Sequence, residues 1–177
     1  MKNSISTIAL CVITLISSLQ LTAQKFKSLD KSPMDVAAFP NSYKISDKIV
    51  KVIYSRPQLN GRDLMKLAPP EKIWRTGANE AAEITFYKDV IFGGKALKAG
   101  TYSLFTIPSY DGDWTVIINK ARNVWGSYYY KQDQDIVRIS GKTSKTEKNI
   151  EAFSMMFDKD MTLKMGWGKT VVSVSIE

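Results

Sequence analysis

From Lys48 to the end of the chain, apolar residues recur at every second position in short runs separated by turn formers, and hardly anywhere at helical spacing. Side chains alternate across a strand, so this pattern gives each run one buried and one solvated face. In Lys48–Arg56, Val50, Val52, Tyr54 and Arg56 share one face and Ile49, Lys51, Ile53 and Ser55 the other. Ala82–Phe92 repeats the alternation, with Ile84, Phe86 and Val90 opposed to Glu83, Thr85 and Tyr87, and ends at the hairpin signal Gly93-Gly94. Residues 101–107, 114–119, 135–140, 152–158, 161–167 and 170–176 continue the series, with turns at Asp111-Gly112-Asp113, Asp158-Lys159-Asp160 and Gly166/Gly168. About eight strands with local connections predict an all-β fold: a single antiparallel β-sandwich over residues 48–177, with a jelly roll as one arrangement open to it.

The residues before this domain read differently. Lys2, the apolar run Ile8–Leu21 and the small-residue exit Leu21-Thr22-Ala23 form a secretory signal over residues 1–23. Thr14, Ser17, Ser18 and Gln20 break the run, which argues against a permanent anchor, so the mature chain is expected to start near Gln24 with no membrane span. The expected location is the periplasm or the medium. Residues 24–47 lack a sustained period and read as an extended leader along the domain edge, with Val36–Phe39 as a short strand or turn.

Composition removes several chemistries. The chain has no histidine, and its one cysteine, Cys11, lies inside the signal. A disulfide framework, a cysteine nucleophile, a histidine-based triad and a zinc site built on imidazole or thiolate are therefore excluded in the mature protein. No metal and no cofactor are expected. Asp111/Asp113 and Asp133/Asp135 are carboxylate pairs of the kind that ligate calcium, but two carboxylates at a hairpin are ordinary turn chemistry. The formal charge of +8 comes mainly from lysines scattered among Asp and Glu. A nucleic-acid protein shows a basic stripe with interleaved aromatics, so no nucleic-acid partner is expected.

Arginine is distributed otherwise. Of the five in the chain, Arg56, Arg62 and Arg75 fall within twenty positions, in the irregular stretch Tyr54–Glu83 between two strands. Pro57 ends the first strand, Asn60-Gly61 turns the chain, and Asp63 caps a helical turn that runs to Leu67 before Pro69-Pro70. Residues 71–75 return to extended structure and Thr76–Asn79 forms a loop. Arginine is preferred over lysine where a planar fork must engage a carboxylate or phosphate at two points or stack on a ring. The candidate ligand-binding set is Tyr54, Arg56, Arg62, Trp74, Arg75, Asn79, Glu80 and Glu83, and no residue is assigned a catalytic role. Glu80 and Glu83 form a glycosidase-like dyad only if Glu80 belongs to the loop, because on one strand their odd separation sends them to opposite faces. The aromatic run Trp125-Gly126-Ser127-Tyr128-Tyr129-Tyr130 reads either as a sugar-stacking platform or, more commonly, as rings packed at the rim of the sandwich.

Several strings carry a family resemblance: Ser55-Arg56-Pro57, Gly61-Arg62, WRTGANEA at Trp74–Ala81, AGTYSLFTIP at Ala99–Pro108, and Trp114 with Val116, Ile117 and Asn119. With these the chain resembles the domain of unknown function 2911 family over residues 35–177. It departs from the family pattern at Met65-Lys66 and at Ala82. The resemblance implies an exported bacterial protein with a single domain, and no established activity. Three readings follow for the arginine stretch. It is a polar site of a binding module, for which small anions and carbohydrates are the fitting ligands; or Glu80 and Glu83 serve a carboxylate-dependent hydrolase; or a structural envelope protein pairs Arg56 and Arg75 internally with Glu80 and Glu83. A monomeric or weakly self-associating binding module is the expected outcome.

Overall fold

The computed structural model describes residues 26–177; the expected signal, with Cys11, lies outside the described residues. Strand β1 (Met34–Phe39) pairs antiparallel with β2 (Val50–Ser55), so the strand expected at Val36–Phe39 joins the sheet. The sheet continues through β3 (Ala82–Phe86), β6 (Gly100–Ile107), β7 (Trp114–Asn119), β8 (Asp135–Phe157) and β9 (Leu163–Val174), each neighbour antiparallel. A separate hairpin, β4 (Val90–Phe92) with β5 (Lys95–Leu97), turns at Gly93 and Gly94, both at positive φ. The fold is antiparallel and almost wholly β, with the large sheet curled into a half-barrel beside the small second sheet. Among the described residues no helix is long and apolar enough to cross a membrane.

The strand pattern departs from the expected one in two places. Ala82–Phe92 breaks at Tyr87–Asp89, so β3 stays in the large sheet and β4 leaves for the small one. The runs 135–140 and 152–158 belong to one 23-residue strand, and 161–167 and 170–176 fall largely within β9. The polar stretch between the two halves of β8 hides this continuity, since its residues are mostly exposed and have no apolar alternation. Register shifts between Lys145 and Ser154 bend β8. At the bend the Ile150 side chain lies over Gly166, where a Cβ would come within 2.6 Å of its Cδ1 and would displace it.

This bend curls the sheet. The far half of β8 meets the segment after β2, where Phe153 N–H donates to Pro57 O (2.9 Å) and Leu59 N–H to Glu151 O (3.0 Å). Pro57 cannot donate to the ladder, but its carbonyl accepts. Inside lie Val50, Val52, Ile84, Phe86, Leu104, Val116 and Ile118 from the first strands, facing Phe153, Phe157, Leu163, Met165 and Trp167. Trp74 sits among Trp114, Phe153 and Trp167, with ring centroids at 6.1, 5.0 and 5.5 Å and the Trp167 ring nearly parallel.

Strands β6 and β7 are apolar on both faces. Phe105 and Ile117 point away from the main core and form a second cluster with Ala81, packed against Ile73, Val124 and Tyr130. Two irregular segments, residues 73–81 and 121–131, therefore cover the outer face of the sheet. Burial of that face, readable in the unbroken apolar string Val116-Ile117-Ile118, is what fixes these loops in place.

Candidate functional site

The line of β3 beside β6 contains an interruption. Ala82 pairs with Leu104, and Trp74 pairs with Thr106 two residues along, so residues 75–81 leave the sheet and return. Ala82 N–H donates to Arg75 O (3.0 Å) and closes the neck of this loop. Thr76 is fully buried at φ 54, with its Oγ1 3.3 Å from Thr106 Oγ1, and Asn79 stands at φ 60. Left-handed backbone at a β-branched residue is strained and persists only where the surroundings enforce it. Gly77 passes so near β2 that a Cβ would lie 2.9 Å from Ser55 O, which explains the glycine in the string WRTGANEA.

The second segment is stitched to the first. Ala81 N–H donates to Val124 O (3.0 Å), Gly126 N–H to Asn79 O (2.9 Å) and Ser127 Oγ to Ile73 O (3.2 Å), while Glu80 stands opposite Trp125 in a backbone bridge. Buried Asn119 holds both ends of this segment: its Nδ2 donates to Lys131 O and Asp135 Oδ1, and its Oδ1 accepts from Ala121 N–H. Tyr130 closes it, with its ring edge-on to Phe105 and its hydroxyl 2.6 Å from Asp135 Oδ2. Burial and then that carboxylate push the Tyr130 phenol up to about 12.

The eight candidate residues divide into groups. Tyr54 is buried, with Met155 N–H donating to its hydroxyl at 2.8 Å, and burial raises its phenol. Arg56 donates to Phe153 O (3.1 Å), Ser154 Oγ (2.7 Å) and Asp35 Oδ2 (3.1 Å), tying β1 and the end of β2 to β8. Arg62 folds back on its own turn through Leu59 O (2.9 Å) and Gln58 O (2.7 Å). Trp74 is at the centre of the aromatic core. The guanidinium groups of Arg56 and Arg62 are thus engaged within the fold.

Arg75, Asn79 and Glu80 belong to the loop and Glu83 to β3, and of these four the structure brings Glu80 and Glu83 to one cavity, which Arg75 and Asn79 do not line. Glu80 precedes β3 and does not share a strand with Glu83, so the odd spacing does not separate them. Both line one cavity of about 220 Å³, walled by Met34, Ile53 and Ala81 and reaching Asn123. Glu83 Oε1 accepts from Asn123 N–H at 2.6 Å. The ion pairs among the described residues are Arg56–Asp35, Lys98–Asp89, Arg138–Asp135 and Lys164–Asp158. None includes Arg75, Glu80 or Glu83, so the anticipated pairing of Arg56 and Arg75 with these two glutamates is not formed. Arg75 is half-buried, its Nε is buried without an acceptor, and desolvation lowers its affinity for the proton.

A family model described as protein of unknown function (DUF2911) matches residues 32–176. The chain belongs to the DUF2911 family. No curated protein and no solved structure matches it. The string WRTGANEA has a physical division of labour: tryptophan in the core, threonine buried against Thr106 of β6, glycine at the close approach to β2, Arg75 and Asn79 half-buried and Glu80 exposed. The aromatic segment stands outside the candidate set, although a sugar-stacking platform is one of the two readings of its sequence. Trp125, Tyr128 and Tyr129 are 56%, 80% and 77% exposed, and only Tyr130 packs inward, so rim packing describes one ring of the four. The signal for their display was the pair Gly126-Ser127, which turns the chain between the rings. Asp113 accepts from Thr143 N–H (2.8 Å) and Asp111 from Ser109 Oγ (2.8 Å), as strand and turn chemistry. Among the described residues no group of three or more His, Cys, Asp or Glu is placed to hold a metal ion.

Proposed function

We propose that this DUF2911 protein is an exported binding module for a small anionic or polar ligand, held at the loop of residues 75–81 with Arg75 as the anion-binding group. The unpaired guanidinium of Arg75 carries this reading. Its Nε is enclosed by protein, but the side chain is only half-buried and enters no ion pair of the described residues, so a ligand carboxylate would meet an unopposed guanidinium charge there. Arg56 and Arg62 instead donate to groups of the fold, Arg56 between β1 and β8 and Arg62 within its own turn.

Arg75→Met is expected to keep or slightly raise the melting temperature, because it removes a desolvated charge without breaking an ion pair, and to abolish saturable thermal stabilisation by acetate or phosphate. A large fall in melting temperature with unchanged ligand response would reject the reading and return Arg75 to a structural role.

A second reading, a carboxylate-dependent hydrolase, is favoured by one observation: Glu80 and Glu83 line the same cavity. If it holds, the protein cleaves members of an aryl-glycoside panel, and Glu80→Gln and Glu83→Gln each lower turnover by at least roughly a hundredfold, the usual scale for loss of a general acid or base. Absence of turnover by the unmodified protein across the panel removes it.

A further inference from the structure

The exposed rings and the unpaired arginine belong to one surface. The segment bearing Trp125, Tyr128 and Tyr129 is hydrogen-bonded along its length to Ile73, Asn79 and Ala81, on either side of Arg75. Tyr128 folds back over Gly126, where a Cβ would come within 2.8 Å of two ring carbons, so the φ +66 glycine lets the ring lie beside the backbone that binds Asn79. Rings this large are usually packed inward, and here the anchors Asn119 and Tyr130 hold the segment while leaving three of them in solvent.

The chemistry of the surroundings narrows the ligand. Exposed rings offer apolar faces for stacking, and Arg75 offers a fork for one carboxylate. Glu80, exposed and outside every ion pair of the described residues, repels polyanions but accepts hydrogen bonds from vicinal hydroxyls. A polyphosphate or nucleic acid would meet that carboxylate unfavourably. A ring with one acid group and several hydroxyls would satisfy Arg75, Asn79, Glu80 and the aromatic faces together.

We infer that the site takes an acidic sugar, a uronic-acid pyranose stacked on Trp125 and Tyr128 with its carboxylate on Arg75 and its hydroxyls toward Asn79 and Glu80. The inference rests on the proposed anion-binding role of Arg75 and specifies its substrate class. The test is calorimetric titration of residues 24–177 with three probes: methyl glucuronide, methyl glucoside, which lacks the acid, and cyclohexanecarboxylate, which lacks the hydroxyls. Methyl glucuronide is expected to bind at least about tenfold more tightly than either, equivalent to about 1.4 kcal/mol. Trp125→Ala and Tyr128→Ala are each expected to weaken it by about tenfold, within the range measured for stacking on an aromatic side chain, at unchanged melting temperature. Equal binding of methyl glucuronide and cyclohexanecarboxylate overturns the sugar assignment and leaves Arg75 as a general anion site. Equal binding of glucuronide and glucoside, insensitive to Arg75→Gln, overturns both readings, as does failure of all three probes to bind.

Discussion

Trp74→Ala is expected to destabilise the protein by about 3–5 kcal/mol, the range for truncating a large buried aromatic. For a domain of this length that corresponds to a fall in melting temperature on the order of 10 °C. Trp74 stacks on Trp167, meets Phe153 and Trp114 edge-on, and its backbone bridges Thr106 at the neck of the 75–81 loop. Its removal opens a cavity where β6, β7, β8 and β9 converge and loosens the loop from beneath. Trp74→Phe should recover much of the loss by refilling part of the volume. A Trp74→Ala protein with normal thermal stability and lost ligand binding would contradict the core assignment and make the ring part of the binding surface.

Arg56→Ala is expected to cost about 2 kcal/mol, less than three fully buried charged hydrogen bonds would give because the side chain is partly exposed. The loss should be visible as a denaturation midpoint shift. Arg56 spans from Asp35 on β1 to Phe153 and Ser154 on β8, so it supports the closure of the curled sheet. Arg56→Lys should fail to restore stability, since an ammonium cannot reach the three acceptors in the planar arrangement of a guanidinium. Unchanged stability in Arg56→Ala would mean that backbone pairing between Pro57 and Phe153 closes the sheet unaided.

Much of the strand content was legible because alternation is a local property. Val50, Val52 and Tyr54 face inward as their spacing requires, Asp63 caps the short helix α1 (Leu64–Leu67) by accepting from Met65 N–H, and Gly93-Gly94 turns a hairpin. The length of β8 was not legible, because its middle carries lysines and polar residues that solvate both faces of an extended hairpin. The same limit applied to the site. Clustering of Arg56, Arg62 and Arg75 in sequence suggested one shared function, but Arg56 is held by groups on β1 and β8, Arg62 by carbonyls of its own turn, and Arg75 Nε by no acceptor, a division that no spacing rule reveals. The departure of Glu80 from the strand depends on the closing bond between Ala82 and Arg75 and on pairing with Trp125, both set by tertiary packing on Phe105 and Ile117.

One consequence is a contrast among three arginines close in sequence. Arg56 Nε donates to Phe153 O and Arg62 Nε to Leu59 O, whereas Arg75 Nε is buried without an acceptor. The nitrogen–proton resonances of the three Nε groups report each environment separately during a titration with acetate. The account predicts a saturable shift of the Arg75 resonance with those of Arg56 and Arg62 unmoved. An Arg75 resonance that stays fixed and exchanges as slowly as the other two would contradict it, since that is the behaviour of a guanidinium already paired inside the protein.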